Sequence, residues 1–171
     1  MIRPIMYALC AMAGLAMLAA CQGEAEPPAP AKPRFEGVQG QWQSAGRDVS
    51  PFLSVFAGAD SIVIRFEKGP GYRIEQYDTA GRRRVFEGTY ELHENDSTEL
   101  SYLLLNQTLP LPSSSEGLVR VFAGRPDSMY LEVVQTQPYI GAFPPTLEGG
   151  FGSSSAGALG NTNIQRFRRI E

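Results

Sequence analysis

From Phe35 to the C-terminus, apolar residues recur at every second position rather than every third or fourth, and short groups of Gly, Pro, Asn and Asp break up the runs. Only in a strand do alternate side chains share a face, so this pattern commits the chain to β-structure. Strands are predicted over 38–45, 61–67, 71–78, 84–92, 98–106, 117–123, 128–136 and 162–170. Lys68-Gly69-Pro70-Gly71, Thr79-Ala80-Gly81, Glu94-Asn95-Asp96-Ser97 and Arg125-Pro126-Asp127 supply the turn chemistry for hairpins between neighbours. One helix is expected at Pro51 to Ala57, with Ser50 as N-cap, Pro51 at the first helical position and Gly58 as C-cap, plugging one end of the sheet. The fold expected is all-β: an eight-stranded antiparallel up-and-down barrel with one short helix, which leaves no open edge. A two-sheet β-sandwich of the same strands is the alternative. A membrane-spanning barrel is disfavoured, because Arg65, Glu67, Arg73, Glu75, Glu87 and Glu91 occupy what would be the lipid-facing band.

The N-terminal segment has a different character. Arg3 is the only charge before an apolar run from Pro4 to Ala20, which ends in Leu18-Ala19-Ala20-Cys21. A short positive region, an apolar stretch and small residues at the cut are the features of a secretory signal peptide. The final tetrad resembles the lipobox of bacterial lipoproteins. That resemblance implies cleavage before Cys21, a thioether to diacylglycerol on its thiol, and acylation of the new amine. Gln22 follows, not Asp, and by resemblance to the enterobacterial sorting pattern this implies the outer membrane. An uncleaved anchor is the competing reading. The run of 17 residues is short of the ~20 a spanning helix needs, and no cluster of positive charges follows it. The division expected is therefore signal peptide 1–20, lipidated Cys21 with a Pro/Ala-rich linker 21–34, and a barrel domain 35–171. Localisation is to the cell envelope, lipid-anchored, on the periplasmic or the outer face.

Removing residues 1–20 takes away Arg3 and moves the net charge from −3 to −4. A mildly acidic domain offers no electrostatic footprint for nucleic acid. Cys10 leaves with the signal peptide and Cys21 is consumed by lipid, so no intrachain disulfide can form and the domain must be held by its core.

A second resemblance rests on the domain itself. Gly40-Gln41-Trp42 on the first strand matches the G-x-W motif of lipocalins. Phe66, Gly71-Tyr72 and Gly88-Thr89-Tyr90-Glu91-Leu92 resemble a pattern recurring in small bacterial lipocalin-like lipoproteins. The resemblance implies that an Arg on the last strand stacks over Trp42 and closes the barrel. Arg166, Arg168 and Arg169 all qualify, and spacing alone does not choose among them; Gly40, Trp42 and Arg168 are taken forward as the closing set. It also implies a small apolar or amphipathic ligand inside the barrel, for which Phe66, Tyr72, Phe86, Tyr90, Tyr102 and Phe122 are candidate wall aromatics. The same side chains would equally fill a solid core, in which case the protein is a structural or interaction lipoprotein that docks to another envelope protein.

Residues 137–161 depart from the strand pattern. A loop of that length is uncommon in a compact domain, and Tyr139, Ile140, Phe143, Leu147 and Phe151 are more apolar than a solvated linker requires. It is expected to fold over a barrel mouth or along the barrel wall, with Tyr139, Phe143 and Phe151 as lid residues or as anchors of a packing loop. Its glycines make no phosphate loop, since no G-K-[ST] end and no following helix are present.

Little else carries chemistry. His93 is the lone histidine, so the ligand sets of zinc sites cannot be assembled. Glu91, Glu94, Asp96 and Glu99 crowd one turn without the spacing of a calcium loop. Arg82-Arg83-Arg84 reads as a solvated turn or as a contact for anionic lipid. No enzyme activity, metal or cofactor is expected.

Overall fold

The computed structural model describes residues 37–95 and 97–171. The expected signal peptide, Cys21 as the lipidation site and the expected linker therefore lie outside the described residues. The strands are β1 (Gly40–Ala45), β2 (Ala59–Phe66), β3 (Gly71–Asp78), β4 (Arg83–His93), β5 (Ser101–Leu109), β6 (Ser113–Phe122), β7 (Ser128–Gln137) and β8 (Gln165–Arg169). Each pairs antiparallel with its sequence neighbour. β8 returns to β1, with Trp42 opposite Arg169 and Gln43 opposite Arg168. This closes the barrel and rules out the sandwich alternative.

Alternation turns one set of side chains inward on every strand. Trp42, Ile62, Ile64, Phe66, Tyr72, Tyr90, Leu103, Leu105, Val119, Met129, Leu131 and Phe167 form one buried cluster. The opposite phase carries the charges: Arg73 bridges Glu75 and Glu87 on the outer face of β3 and β4, and Arg65 on β2 lies opposite it. Gly88 and Gly117 mark places where neighbouring strands come too close for a side chain. A Cβ on Gly88 would lie 2.0 Å from the carbonyl oxygen of Asn106, and one on Gly117 would lie 1.9 Å from that of Glu132.

The helix α1 (Pro51–Ala57) forms where its caps predict: the Ser50 hydroxyl accepts from the Leu53 amide at 3.2 Å, and Gly58 ends the helix in a left-handed conformation. Strand limits differ from the predicted ones where polar residues extend the ladder. Ser113, Ser114 and Ser115 read as loop by composition, yet they pair with Gln107, Asn106 and Leu105. Conversely, Thr162 and Asn163 belong to a 3-10 turn (Gly160–Asn163), and the last strand begins only at Gln165.

Strand direction divides the connections between two ends. Residues 46–58, 79–82 and 110–112 lie at the end bearing α1, where the long connection 138–164 also leaves and rejoins the barrel. Residues 37–39, 67–70, 94–95, 97–100, 123–127 and 170–171 lie at the other.

Candidate functional site

The end remote from α1 is closed by the first and last strands. Trp42 is fully buried and donates its indole N–H to the Val38 carbonyl at 2.7 Å. The residue stacked on it is Arg169, whose guanidinium carbon lies 4.0 Å from the ring centroid. This corrects the assignment of Arg168, which lies opposite Gln43, points outward and is paired with Asp48 at 3.7 Å across solvent. The strand phase decides it: Phe167 and Arg169 face inward, so Arg166 and Arg168 cannot. Arg169 also binds Asp127 (Nε to Oδ2, 3.0 Å) and the Gln39 carbonyl (Nη1, 2.5 Å). Asp127 accepts in turn from the Gly124 amide at 2.9 Å. Gly40 is needed here, since its φ is +114° and a Cβ would fall 2.5 Å from Nη1 of Arg169.

The six candidate wall aromatics do not share one face. Phe66, Tyr72 and Tyr90 are buried inside. The rings of Phe66 and Tyr90 meet edge to face at 4.9 Å, and the Tyr90 hydroxyl donates to the Glu67 carbonyl at 2.9 Å. Burial pushes the Tyr72 phenol up to about 12. Phe86 lies opposite Ile74 on the inner face and is half-buried. Tyr102 and Phe122 are on the outside, which corrects their assignment to the interior. Tyr102 lies in an unbroken apolar run, Tyr102 to Leu105, where alternation fixes no phase; Leu103 and Leu105 take the inner positions. Its hydroxyl donates to Glu116 at 2.6 Å, and desolvation together with this carboxylate raises the phenol to about 12. Phe122 follows the inward-facing Val119 and Val121 in the opposite phase; it packs on Tyr130 at 4.9 Å under the Arg120 guanidinium.

The half of the barrel remote from α1 is solid. Trp42, Ile64, Leu103 and Met129 have no exposed surface, and Phe66 and Val119 have 1%. A side chain with no exposed surface touches no void large enough for a water molecule, and such packing is that of a protein core rather than of a pocket. Towards α1 the interior becomes polar. The Gln165 side chain donates to Ser44 Oγ at 2.5 Å and accepts from the Ser50 amide at 2.8 Å, while Gln76 donates to the Ala57 carbonyl at 3.2 Å. These bonds fasten both flanks of α1 to the barrel and satisfy the polar groups buried there.

The long loop runs along the wall. Glu132, on the outer face of β7, is fully buried beneath it. Its carboxylate accepts from the amides of Gly152 (2.5 Å) and Ser154 (3.2 Å) and from the Ser154 hydroxyl. Asn163 adds a bond to the Val133 carbonyl at 3.1 Å, and Phe151 packs on Tyr130 with ring centroids 6.2 Å apart. Phe151 therefore covers the outer wall, not a mouth. Tyr139 and Phe143 are exposed and lie 5.9 Å from each other. An open groove of about 580 Å³ runs past Phe143, Pro144, Phe151 and Ala156. Sequence reasoning missed Glu132 as a latch. The available signal was a lone carboxylate in the apolar run Met129 to Val134, followed by a Gly/Ser-rich loop with backbone N–H groups to spare.

His93 is exposed, with Glu91 as its neighbour at 3.7 Å, and no hydroxyl is bonded to it among the described residues. No family model matches this chain, and no curated protein or solved structure matches it significantly.

Proposed function

We propose that this chain is a lipid-anchored lipoprotein of the bacterial cell envelope, held at the outer membrane through Cys21, whose lipocalin-like barrel is a filled scaffold acting through its surface. The anchor reading rests on the segment Leu18-Ala19-Ala20-Cys21 and the apolar run before it. One acyl chain gives only marginal binding to a membrane, and three give a stable anchor. The scaffold reading rests on one observation: in the half of the barrel remote from α1 the inward side chains leave no room even for water. An interior of this kind serves stability, so specificity belongs on the outside, where the long loop, the groove beside Phe143 and Phe151, and the exposed side chains of α1 are displayed.

A second reading, a small apolar ligand held within the α1 end, is favoured by the incomplete burial of Ile74, Phe86 and Val133 on the inner face. Cells expressing the full chain, fed an alkyne fatty acid, test the anchor. Wild type is expected to take the label and stay with the membranes, and Cys21→Ser to lose both. Label on the Cys21→Ser variant refutes the assignment. Native mass spectrometry of the purified protein separates the two barrel readings: the bare lipidated mass supports the scaffold, and a stoichiometric small-molecule adduct supports the ligand.

A further inference from the structure

All but one of the large apolar side chains left exposed among the described residues lie at a single end of the barrel. Val55 and Phe56 project from α1, Leu109 and Leu111 from the β5–β6 turn, and Tyr139, Ile140 and Phe143 from the segment after β7. The exception, Ile170, is at the opposite end. Val55 and Phe56 are 74% and 77% exposed, so they contribute nothing to the core and cost solubility where they stand. Exposed arginines accompany these apolar tips. Arg47, Arg82, Arg83 and Arg84 are exposed at the α1 end beside the acids Asp60 and Glu148, and Arg84 donates to the Ala57 carbonyl at 3.5 Å. Arg82 and Arg83 share the carboxylates of Asp78 and Glu75. The other end exposes Glu67, Glu94, Glu99 and Glu171 together with Lys68 and Arg125.

We propose that the α1 end rests on the bilayer that holds the anchor, with Phe56, Leu111, Tyr139, Ile140 and Phe143 entering the headgroup region and the arginines meeting lipid phosphates. This rests on the lipoprotein reading above. Aromatic and aliphatic tips set among cations are the chemistry of an interfacial contact. Tether length permits the orientation. The described chain begins at Gly37, at the end remote from α1, 16 residues after Cys21. Pro-rich chain advances about 3.1 Å per residue, giving a reach of about 50 Å. Ten-residue strands rising about 3.3 Å per residue and tilted about 40° stand about 25 Å tall. The linker is therefore long enough to pass the whole barrel and bring the α1 end down to the membrane. The barrel would then be clamped at the surface by two contacts, lipid and rim, rather than swinging on a tether.

The test uses the full chain, processed in cells, purified and reconstituted in vesicles of phosphatidylethanolamine and phosphatidylglycerol. An acylated Cys21 leaves the mature chain without a free thiol, so a nitroxide can be placed at Phe56→Cys, Ile140→Cys or Glu94→Cys, all exposed positions. Collision with oxygen relative to a water-soluble nickel chelate is expected to be several-fold higher at 56 and 140 than at 94. Equal, water-like ratios at all three positions, on a chain shown to be acylated, overturn the membrane contact and leave the anchor standing. Immobilised but water-accessible labels at 56 and 140 also overturn it, pointing to a protein partner or a second copy. A free, labelled Cys21 in the unsubstituted chain overturns the anchor and this proposal together.

Discussion

Replacing Arg169 by Ala should destabilise the barrel far more than replacing Arg168, although the two are adjacent and chemically identical. The Arg169 side chain is 8% exposed and Asp127 is 9% exposed, so the ion pair at 3.0 Å is desolvated. Removing one member of such a pair strands the other as a buried charge and costs about 3–5 kcal/mol. The guanidinium over Trp42 at 4.0 Å contributes up to about 2 kcal/mol in its own right. The two contributions overlap, and Asp127 keeps the Gly124 amide, so about 3–5 kcal/mol is expected for the truncation as a whole. Arg168 is 70% exposed and its partner Asp48 36%, at 3.7 Å. Solvent screens that pair to under about 1 kcal/mol. For a domain of this size, 1 kcal/mol moves the melting temperature by about 4 °C. Arg169→Ala should therefore melt about 12–20 °C below wild type, and Arg168→Ala within about 4 °C of it, by circular dichroism at neutral pH. Arg169→Lys should recover only part of the loss, because an ammonium cannot stack and bind Asp127 and the Gln39 carbonyl together. Equal shifts for the two alanine variants would refute the closure argument, since it rests wholly on Arg169 facing inward.

Glu132→Ala leaves the part-buried Gly152 amide and the buried Ser154 amide and hydroxyl without an acceptor; at about 1–3 kcal/mol for each buried group, a loss of at least about 2 kcal/mol and selective proteolysis within the 138–164 loop are expected. The phenols of Tyr72 and Tyr102 are held up near 12 against an ordinary value of 10. Their stabilisation is full below pH 10 and is lost as pH rises towards 12, so phenolate absorbance for these two should appear only with unfolding; Tyr72→Phe and Tyr102→Phe identify the late component. The bond from Tyr77 and the pairing with Arg73 hold the Glu75 carboxyl below its usual range. Its contribution should be complete above about pH 4.5 and vanish as the pH falls further, so urea midpoints of wild type and Glu75→Gln should converge in acid and separate at neutral pH.

The barrel was legible because its determinants are local. Alternation in Ile62, Ile64 and Phe66, turn residues at Gly69-Pro70 and Thr79-Ala80-Gly81, and the Ser50, Pro51 and Gly58 signals each fix a piece of backbone independently of the rest. The closure between Trp42 and the last strand was legible as a kind of contact, but not as a residue. Arg166, Arg168 and Arg169 differ only in strand phase, and that phase is set by how Gln165 and Phe167 seat in the core. Tyr102 failed for a related reason. In a continuous run of apolar residues both faces satisfy composition, and the loop packed on the outer wall gives this side of the barrel a second apolar face. Glu132 stood out as a lone carboxylate in an apolar run, but its partners, two amides and a hydroxyl about 20 residues away, could not be named from the sequence. The exposed apolar side chains around α1 were each visible in the sequence, but their common end follows only from the up-and-down order of the strands.

Native mass spectrometry of the mature protein, extracted from membranes in mild detergent, tests the central claim most directly. The account predicts a chain that begins at a triacylated Cys21 and carries no further small molecule. A stoichiometric apolar adduct would contradict the filled scaffold, and a chain that begins elsewhere or lacks acyl groups would contradict the anchor.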